Sequence, residues 1–387
     1  MQNTDTMAAA ENSSSYIIDL SAVHHNIATI KKHLPTHTRL MMMVKADGYG
    51  TGAVTTTQFA TDHGIDIAGV THIDEAIVLR HAGIESDIFV LHATTPDIDK
   101  LLLHRVEVAV SNIAFLHALA RAAHSANTVI KVHVHLDSGM TRLGASMEEA
   151  ITIASEAHRL SDLQLEGLMT HFPSADDPTQ DAFTRSQGKM LSQLVSELAG
   201  RGITVPWIHA ANSAGALRFD FPFCNMVRLG IAAYGVLPSS KMKSTLPLKC
   251  ALSLSAPIVG INYPSAGTTV SYSRQHVVRR DNARIGVIPL GYHDGIHRRY
   301  AGTNSVFIDG VPAPMVGAIC MDYFMVDLTD HPQTSIGSRA LIFGCDGSGS
   351  FISPETFAEQ GGTIPHELMT CIGPRVPRIH IRNNKMS

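Results

Sequence analysis

No apolar run in this sequence approaches the ~18 residues that a membrane-spanning helix requires, so a membrane role is not expected. The first 15 residues are polar and Ala/Ser-rich and lack the basic-then-apolar order of a secretory signal; they read as a flexible lead-in to a cytoplasmic protein. Cysteine is sparse. Cys224, Cys250, Cys320, Cys345 and Cys371 form no CxxC pair, and an odd, scattered set points to free thiols in a reducing compartment. A long basic run is also missing and the formal net charge is −4, which argues against a nucleic-acid surface. There is no HExxH. Two HxxxH spacings, His33/His37 and His293/His297, are interrupted by Pro35 and Gly295, so no metal centre is expected.

What is present is globular: 44% apolar and 17% charged residues exclude disorder, and 387 residues exceed what one core usually holds, ~250–300. Short β-rich runs at 40–44, 67–70, 88–91, 106–110, 129–136, 165–169, 205–208 and 226–229 alternate with helical stretches such as 74–81 and 186–198. Strand–helix alternation makes a parallel sheet, and eight such units predict a (β/α)8 TIM barrel, with a doubly wound sheet as the rival. After residue 243 long helical patterns stop. Runs at 251–261, 284–290, 305–308, 324–328, 340–343 and 378–381, punctuated by Asp309-Gly310 and Asp346-Gly347, predict an all-β domain. The expected order is a flexible lead over 1–15, the barrel over 16–245 and the β domain over 246–387.

Barrel chemistry sits on the loops after the strands. Lys45 ends the run Met41-Met42-Met43-Val44, where burial would lower its pKa and free an amine to attack an aldehyde; a lysine snorkelling at a strand end reads the same way in isolation. Ser213 and the turn at Gly230-Ile231 offer a hydroxyl and closely approachable amides for an anion, although ordinary βα loops carry the same residues. Arg228 could equally pair with a carboxylate, and a tyrosine in a strand, as at Tyr272, is ordinarily core or edge.

The neighbours narrow these alternatives. Val44-Lys45-Ala46-Asp47-Gly48-Tyr49-Gly50 resembles the cofactor-lysine motif of the alanine racemase family. The resemblance continues in order through Asp137-Ser138-Gly139-Met140-Thr141-Arg142-Leu143-Gly144, Thr170-His171-Phe172, Ala211-Asn212-Ser213, and Val227-Arg228-Leu229-Gly230-Ile231 with Tyr234-Gly235. In the second domain it takes in Val270-Ser271-Tyr272, Gly291-Tyr292-His293-Asp294-Gly295, Cys320-Met321-Asp322 and Arg375-Val376-Pro377-Arg378. Each segment alone is weak; together, across both domains, they are specific.

The resemblance implies a pyridoxal-phosphate (PLP) isomerase that interconverts L- and D-alanine for peptidoglycan, working as a homodimer whose sites combine one barrel with the partner's β domain. Lys45 would carry the cofactor and serve one face of the substrate, and Tyr272 of the partner the other. Tyr49, Ser213, Gly230 and Ile231 would hold the phosphate, Leu91 would pack on the ring, and Asn212 joins this cofactor-binding set. Arg228, supported by His209, would face the ring nitrogen and leave it unprotonated, with His171 coupling Arg228 to Tyr272. Arg142 and the Met321 backbone would take the substrate carboxylate, while Tyr292, Met321 and Asp322 narrow the entry. Two positions depart from the family pattern. His135 stands where many members have a carbamylated lysine that positions the arginine; a neutral imidazole could accept from Arg142, a bound anion could replace the carbamate, or His135 is only a strand residue. Pro374 replaces a tyrosine that touches the phosphate and lines the pocket, which opens a broader racemase acting on serine or others. A non-catalytic PLP-binding protein and a barrel-type decarboxylase are the readings from other classes.

Overall fold

The computed structural model describes residues 13–346 and 349–382. Chain contacts divide these into two units, one built on His24–Ala233 with Lys241–Leu248, the other on the described residues up to Val23, on Tyr234–Ser240 and on the chain from Lys249.

The first strand, β1 (Ser15–Asp19), belongs to the second unit. The next eight are β2 (Arg39–Met43), β3 (Ile67–Val70), β4 (Asp87–Val90), β5 (Glu107–Val110), β6 (Ile130–His135), β7 (Leu163–Met169), β8 (Trp207–His209) and β9 (Met226–Leu229). They pair in parallel in chain order, and β9 returns to β2 to close the barrel. The alternation of runs and helices therefore means a barrel, and the doubly wound rival falls. A parallel strand is buried on both faces, which is why β2, β3 and β5 read as nearly unbroken apolar runs. Interior packing dictates small residues too. A Cβ on Gly69 would meet the Met43 sulfur at 2.5 Å, and one on Gly167 would meet His133 Nδ1 at 2.0 Å. Two of the helices between strands start on side-chain caps: Asn112 accepts from the Phe115 amide, and Ser146 with Glu149 forms a capping box.

The second unit is a ten-stranded sheet beside a two-stranded one. Its strands after β1 are β10 (Leu252–Pro257), β11 (Gly260–Asn262), β12 (Thr269–Val270), β13 (His276–Val277), β14 (Ile285–Ile288), β15 (Ser305–Ile308), β16 (Val311–Val316), β17 (Phe324–Asp327), β18 (Arg339–Cys345), β19 (Phe351–Ile352) and β20 (Arg378–Ile381). Three features differ from expectation. Ser15–Asp19, placed in the lead-in and the barrel by sequence, pairs with β10 and β20. The lead-in expected over 1–15 otherwise lies, through residue 12, outside the described residues. Strand β16 carries Pro312 and Pro314, which argue against a strand; both fall where β16 pairs with β15 alone, and only Met315 and Val316 also pair with β17. The domain is mostly rather than wholly β, because two short helices, Pro354–Gln360 and Pro365–Thr370, each begin on a proline. Among the described residues no helix is long and apolar enough to cross a membrane, and all five cysteines are free thiols.

Candidate active site

The loop after β2 turns the wrong way. Ala46, Asp47, Gly48 and Tyr49 all have positive φ, between 51° and 65°. Each non-glycine residue there costs about 1–2 kcal/mol, so the turn exists only because it is fastened. Asp47 Oδ1 accepts from the Ala53 amide at 2.8 Å, and the Gly48 amide donates to the Val44 carbonyl at 2.8 Å. Glu75, to which the family motifs do not point, accepts the Ala46 amide on Oε1 at 2.7 Å and the Thr71 and His72 amides on Oε2 at 2.7 and 3.1 Å. A local signal for it exists: Glu75 completes a capping box three residues after His72. Lys45 starts this turn, half-buried. Burial first, then Arg142 and Arg228, lower its pKa, while Glu75 opposes them. A lowered ammonium pKa is what an amine that attacks an aldehyde needs.

At the same end of the barrel Arg228, 3% exposed, has no carboxylate partner among the described residues. Nη1 donates to His209 Nδ1 at 2.8 Å and to the His209 carbonyl at 3.1 Å. Nη2 donates to the Thr170 and Ala210 carbonyls at 2.8 and 3.0 Å and to His171 Nδ1 at 3.2 Å. Burial pushes the guanidinium down to about 10, which still leaves it charged at neutral pH. His171 and His209 are held well below the usual imidazole range, by burial first and by Arg228 second, so both rings are neutral acceptors toward the arginine.

Ser213 and Gly230 meet as expected. Ser213 Oγ accepts from the Gly230 amide at 2.9 Å and the Ala232 amide at 3.3 Å, and Ile231 opens a short 3-10 turn whose first amide has no intrahelical acceptor. A Cβ on Gly230 would meet the Tyr49 hydroxyl at 2.3 Å, so only glycine lets that phenol in. Burial raises the Tyr49 pKa to about 12, which keeps it a neutral donor. Asn212 shapes the adjoining loop, since its Oδ1 caps the Gly215 amide at 3.0 Å and its Nδ2 donates to the Phe172 carbonyl at 3.0 Å.

Arg142 lies exposed on a loop that Asp137 organises by accepting from the Gly139, Met140 and Thr141 amides at 2.9, 3.0 and 3.1 Å. His135 is 7% exposed and makes no hydrogen bond to Arg142. Burial, then Arg228, pushes its pKa down to about 4, so it is neutral at physiological pH. Together with Leu91 and Leu143 it lines a cavity of about 130 Å³.

In the second unit Tyr272 is 69% exposed and opens a 3-10 turn flanked by Ser271 at φ 66° and Ser273 at φ 57°. The Gly291–Gly295 and Cys320–Asp322 motifs are stitched together: the Tyr292 amide donates to the Cys320 carbonyl at 3.0 Å and the His293 amide to the Met321 carbonyl at 3.1 Å. Arg375 grips Asp294 through two bonds of 2.9 Å and Asp322 through one of 2.7 Å. Tyr292 and Met321 stay 42% and 53% exposed.

A fastened lysine of lowered pKa and a buried arginine with neutral acceptors stand at one end of a parallel barrel, an arrangement that fits the PLP-dependent barrel enzymes. The chain belongs to the alanine racemase family: the family's N-terminal domain matches residues 18–238 and its C-terminal domain residues 251–380. It is 36% identical over 370 residues to alanine racemase 2 of Oceanobacillus iheyensis, covering 95% of this chain and 93% of that one. It is 37% identical over 373 residues to the alanine racemase of Geobacillus kaustophilus, covering 95% and 94%. Among solved structures, the Bacillus anthracis alanine racemase with bound L-Ala-P superposes with a TM-score of 0.88 at 32% identity, covering 97% of this chain and 96% of that one.

Proposed function

We propose that this chain is a PLP-dependent alanine racemase that interconverts L- and D-alanine by two-base proton transfer, acts as a homodimer in the cytoplasm and supplies D-alanine for peptidoglycan. The observation that carries the reading is the pairing of Lys45, on its fastened left-handed turn, with Arg228, whose five acceptors are all neutral.

The residues present fit the cofactor. The Ile231 amide and the Ser213 and Tyr49 hydroxyls suit a phosphate; the Gly230 amide is engaged by Ser213 Oγ, and the Gly230 site has no room for a side chain. Bound there, PLP supplies the electron sink that makes an amino acid's Cα proton removable. Arg228 would face the ring nitrogen. A guanidinium does not readily release its proton, so that nitrogen stays unprotonated and the sink stays weak, which favours reprotonation at Cα over decarboxylation. Lys45, as the neutral amine, would take or return the proton on the D face. Tyr272 of the partner does so on the L face; its exposure on one chain suits a residue given to another. His171 accepts from Arg228 on Nδ1, so its remaining proton sits on Nε2, free to donate to a phenolate and stabilise it. Arg142 would hold the substrate carboxylate together with the backbone of the partner's Met321, and the partner's Tyr292 and the partner's Asp322 would narrow the entry.

The test is chiral separation of products from purified, PLP-loaded protein given L-alanine. D-alanine rising to an equal mixture supports the reading; bound PLP with no D-alanine overturns it. Pro374 favours one second reading, broader racemisation, because proline brings no hydroxyl to the pocket. Turnover of L-serine at a rate matching L-alanine would decide for it.

A further inference from the structure

Behind Arg228 a line of buried polar groups crosses the barrel interior. His209 Nε2 lies 2.9 Å from His133 Nδ1, and His133 Nε2 lies 2.9 Å from Glu107 Oε2. Lys131 Nζ donates to the other carboxylate oxygen at 2.9 Å. Glu107 is 3% exposed, and both histidines are fully buried. The sequence makes room for this line: Gly167 is the register partner of His133 and would collide with its ring if it carried a Cβ, and Phe89 packs on both imidazoles at 4.7 and 5.7 Å.

The ends of the line fix its protons. Arginine only donates, so His209 Nδ1 must be a lone pair and its proton lies on Nε2. That proton points at His133 Nδ1, which must accept, so the His133 proton lies on Nε2 and points at a carboxylate, which only accepts. One arrangement satisfies every bond. An added proton on either ring, or a donor in place of the carboxylate, turns two N–H groups against each other and ends at Arg228. Among the described residues the guanidinium has no direct anionic partner, and Glu107 is the carboxylate that this line connects to it.

We propose that Glu107 and His133 are positioning residues: the carboxylate, acting through two imidazoles of fixed tautomer, orients the Arg228 guanidinium and strengthens its acceptor. The inference rests on the reading that Arg228 faces the cofactor ring, and the tautomers can be tested without cofactor.

Nitrogen-15 NMR of histidine-labelled enzyme should show His133 and His209 protonated on Nε2 and unprotonated on Nδ1. Glu107→Gln and His133→Leu should each raise the PLP dissociation constant about tenfold, and the double variant by no more than either alone, because both cut one line. Lys131→Met removes the partner of the other carboxylate oxygen and should leave both tautomers and PLP affinity unchanged. The proposal is overturned by a wild-type His133 that is cationic or protonated on Nδ1, by additive effects in the double variant, or by a Lys131→Met that matches Glu107→Gln. If the Glu107 variant does not fold, the wild-type nitrogen shifts decide. Failure here leaves the chiral assay standing, and failure there leaves the tautomers standing.

A different observation concerns the second unit. His297, Glu367 and Cys371 each offer one donor atom, all within 4.8 Å of one another. Tyr300 is 0% exposed, and among the described residues its hydroxyl and His297 Nε2 have no hydrogen-bond partner. The Tyr300 and His297 rings lie 5.9 Å apart, centroid to centroid. Buried polar atoms without partners call for an ion or a water. Thiolate, imidazole and carboxylate, with a phenol or water in fourth place, make a tetrahedral zinc-type set. Arg299, which competes for Glu367, touches it at a long 3.7 Å. We infer that this cluster binds a divalent cation of the zinc class and ties the turn after Gly295 to the segment that leads into Arg375. Cobalt(II) titrated into chelator-treated full-length protein should give one equivalent of a thiolate charge-transfer band with tetrahedral d–d bands, lost in Cys371→Ser and in His297→Ala. No band in the wild type, or a band that survives Cys371→Ser, overturns it.

Discussion

Replacing Glu75 with glutamine tests whether the left-handed turn sets the reactivity of Lys45. The carboxylate serves three amides, of Ala46, Thr71 and His72. An amide group presents NH2 on one side, so at least one of these donors would face another donor. A lost hydrogen bond to a charged group costs about 1.5–3 kcal/mol. The turn it fastens holds Ala46, Asp47 and Tyr49 in the left-handed region, a strain of about 3–6 kcal/mol in total at the usual per-residue cost. The loss is therefore comparable with the strain, and the turn should relax without unfolding the barrel. If the whole loss is felt as misplacement of the amine, kcat falls roughly 10- to 150-fold. Charge adds a second readout. Glu75 raises the Lys45 pKa against burial and two arginines, so its removal lets that pKa fall further. The pH profile of borohydride-trapped lysine–PLP adduct should move to lower pH in Glu75→Gln. A profile that stays put or moves up, with kcat within about twofold of wild type, would refute the reasoning.

Three further outcomes follow from the same geometry. Lys45→Ala should abolish the borohydride-reducible covalent PLP adduct, checked by mass spectrometry; an adduct that persists moves the cofactor to another lysine. Lys45→Ala mixed with Tyr272→Ala should recover activity in up to half the sites of each heterodimer, and proven subunit exchange without recovery would place the site within one chain. His135, held at about 4 against an ordinary 6.5, favours its neutral form in the fold. Its contribution is complete above pH 6.5 and is lost as pH falls through about 4, about 3 kcal/mol in all at ~1.36 kcal/mol per pH unit. His135→Gln should therefore flatten the acid side of a Tm-against-pH curve, and an unchanged slope would show that the ring is not buried neutral.

Much of this molecule is legible in its sequence because parallel barrel strands are buried on both faces and read as apolar runs. Each run ends where a polar cluster begins, which draws attention to Lys45, Arg142, His171 and Ser213, whereas Arg228 sits inside the last run and stands out only through the family resemblance. The unreadable parts have physical causes. Nothing in Ala46, Asp47 and Tyr49 announces positive φ, since glycine is the residue that favours it. Glu75 and Glu107 act through contacts 29 and 26 residues away in the chain, on helix and strand positions that look like surface carboxylates. β1 finds its partners in β10 and β20, at the far end of the sequence, so local pattern could only assign it to the neighbouring barrel. The prolines of β16 hid a strand because a strand that is an edge over part of its length tolerates what a central strand does not.

The central claim is that two different residues move the proton on the two faces of the substrate, and solvent-deuterium incorporation at Cα measures it directly. With Tyr272→Phe, exchange starting from L-alanine should be suppressed far more than exchange starting from D-alanine, whereas the wild type labels both. Equal suppression of the two enantiomers would contradict the assignment of Tyr272 to one face and Lys45 to the other.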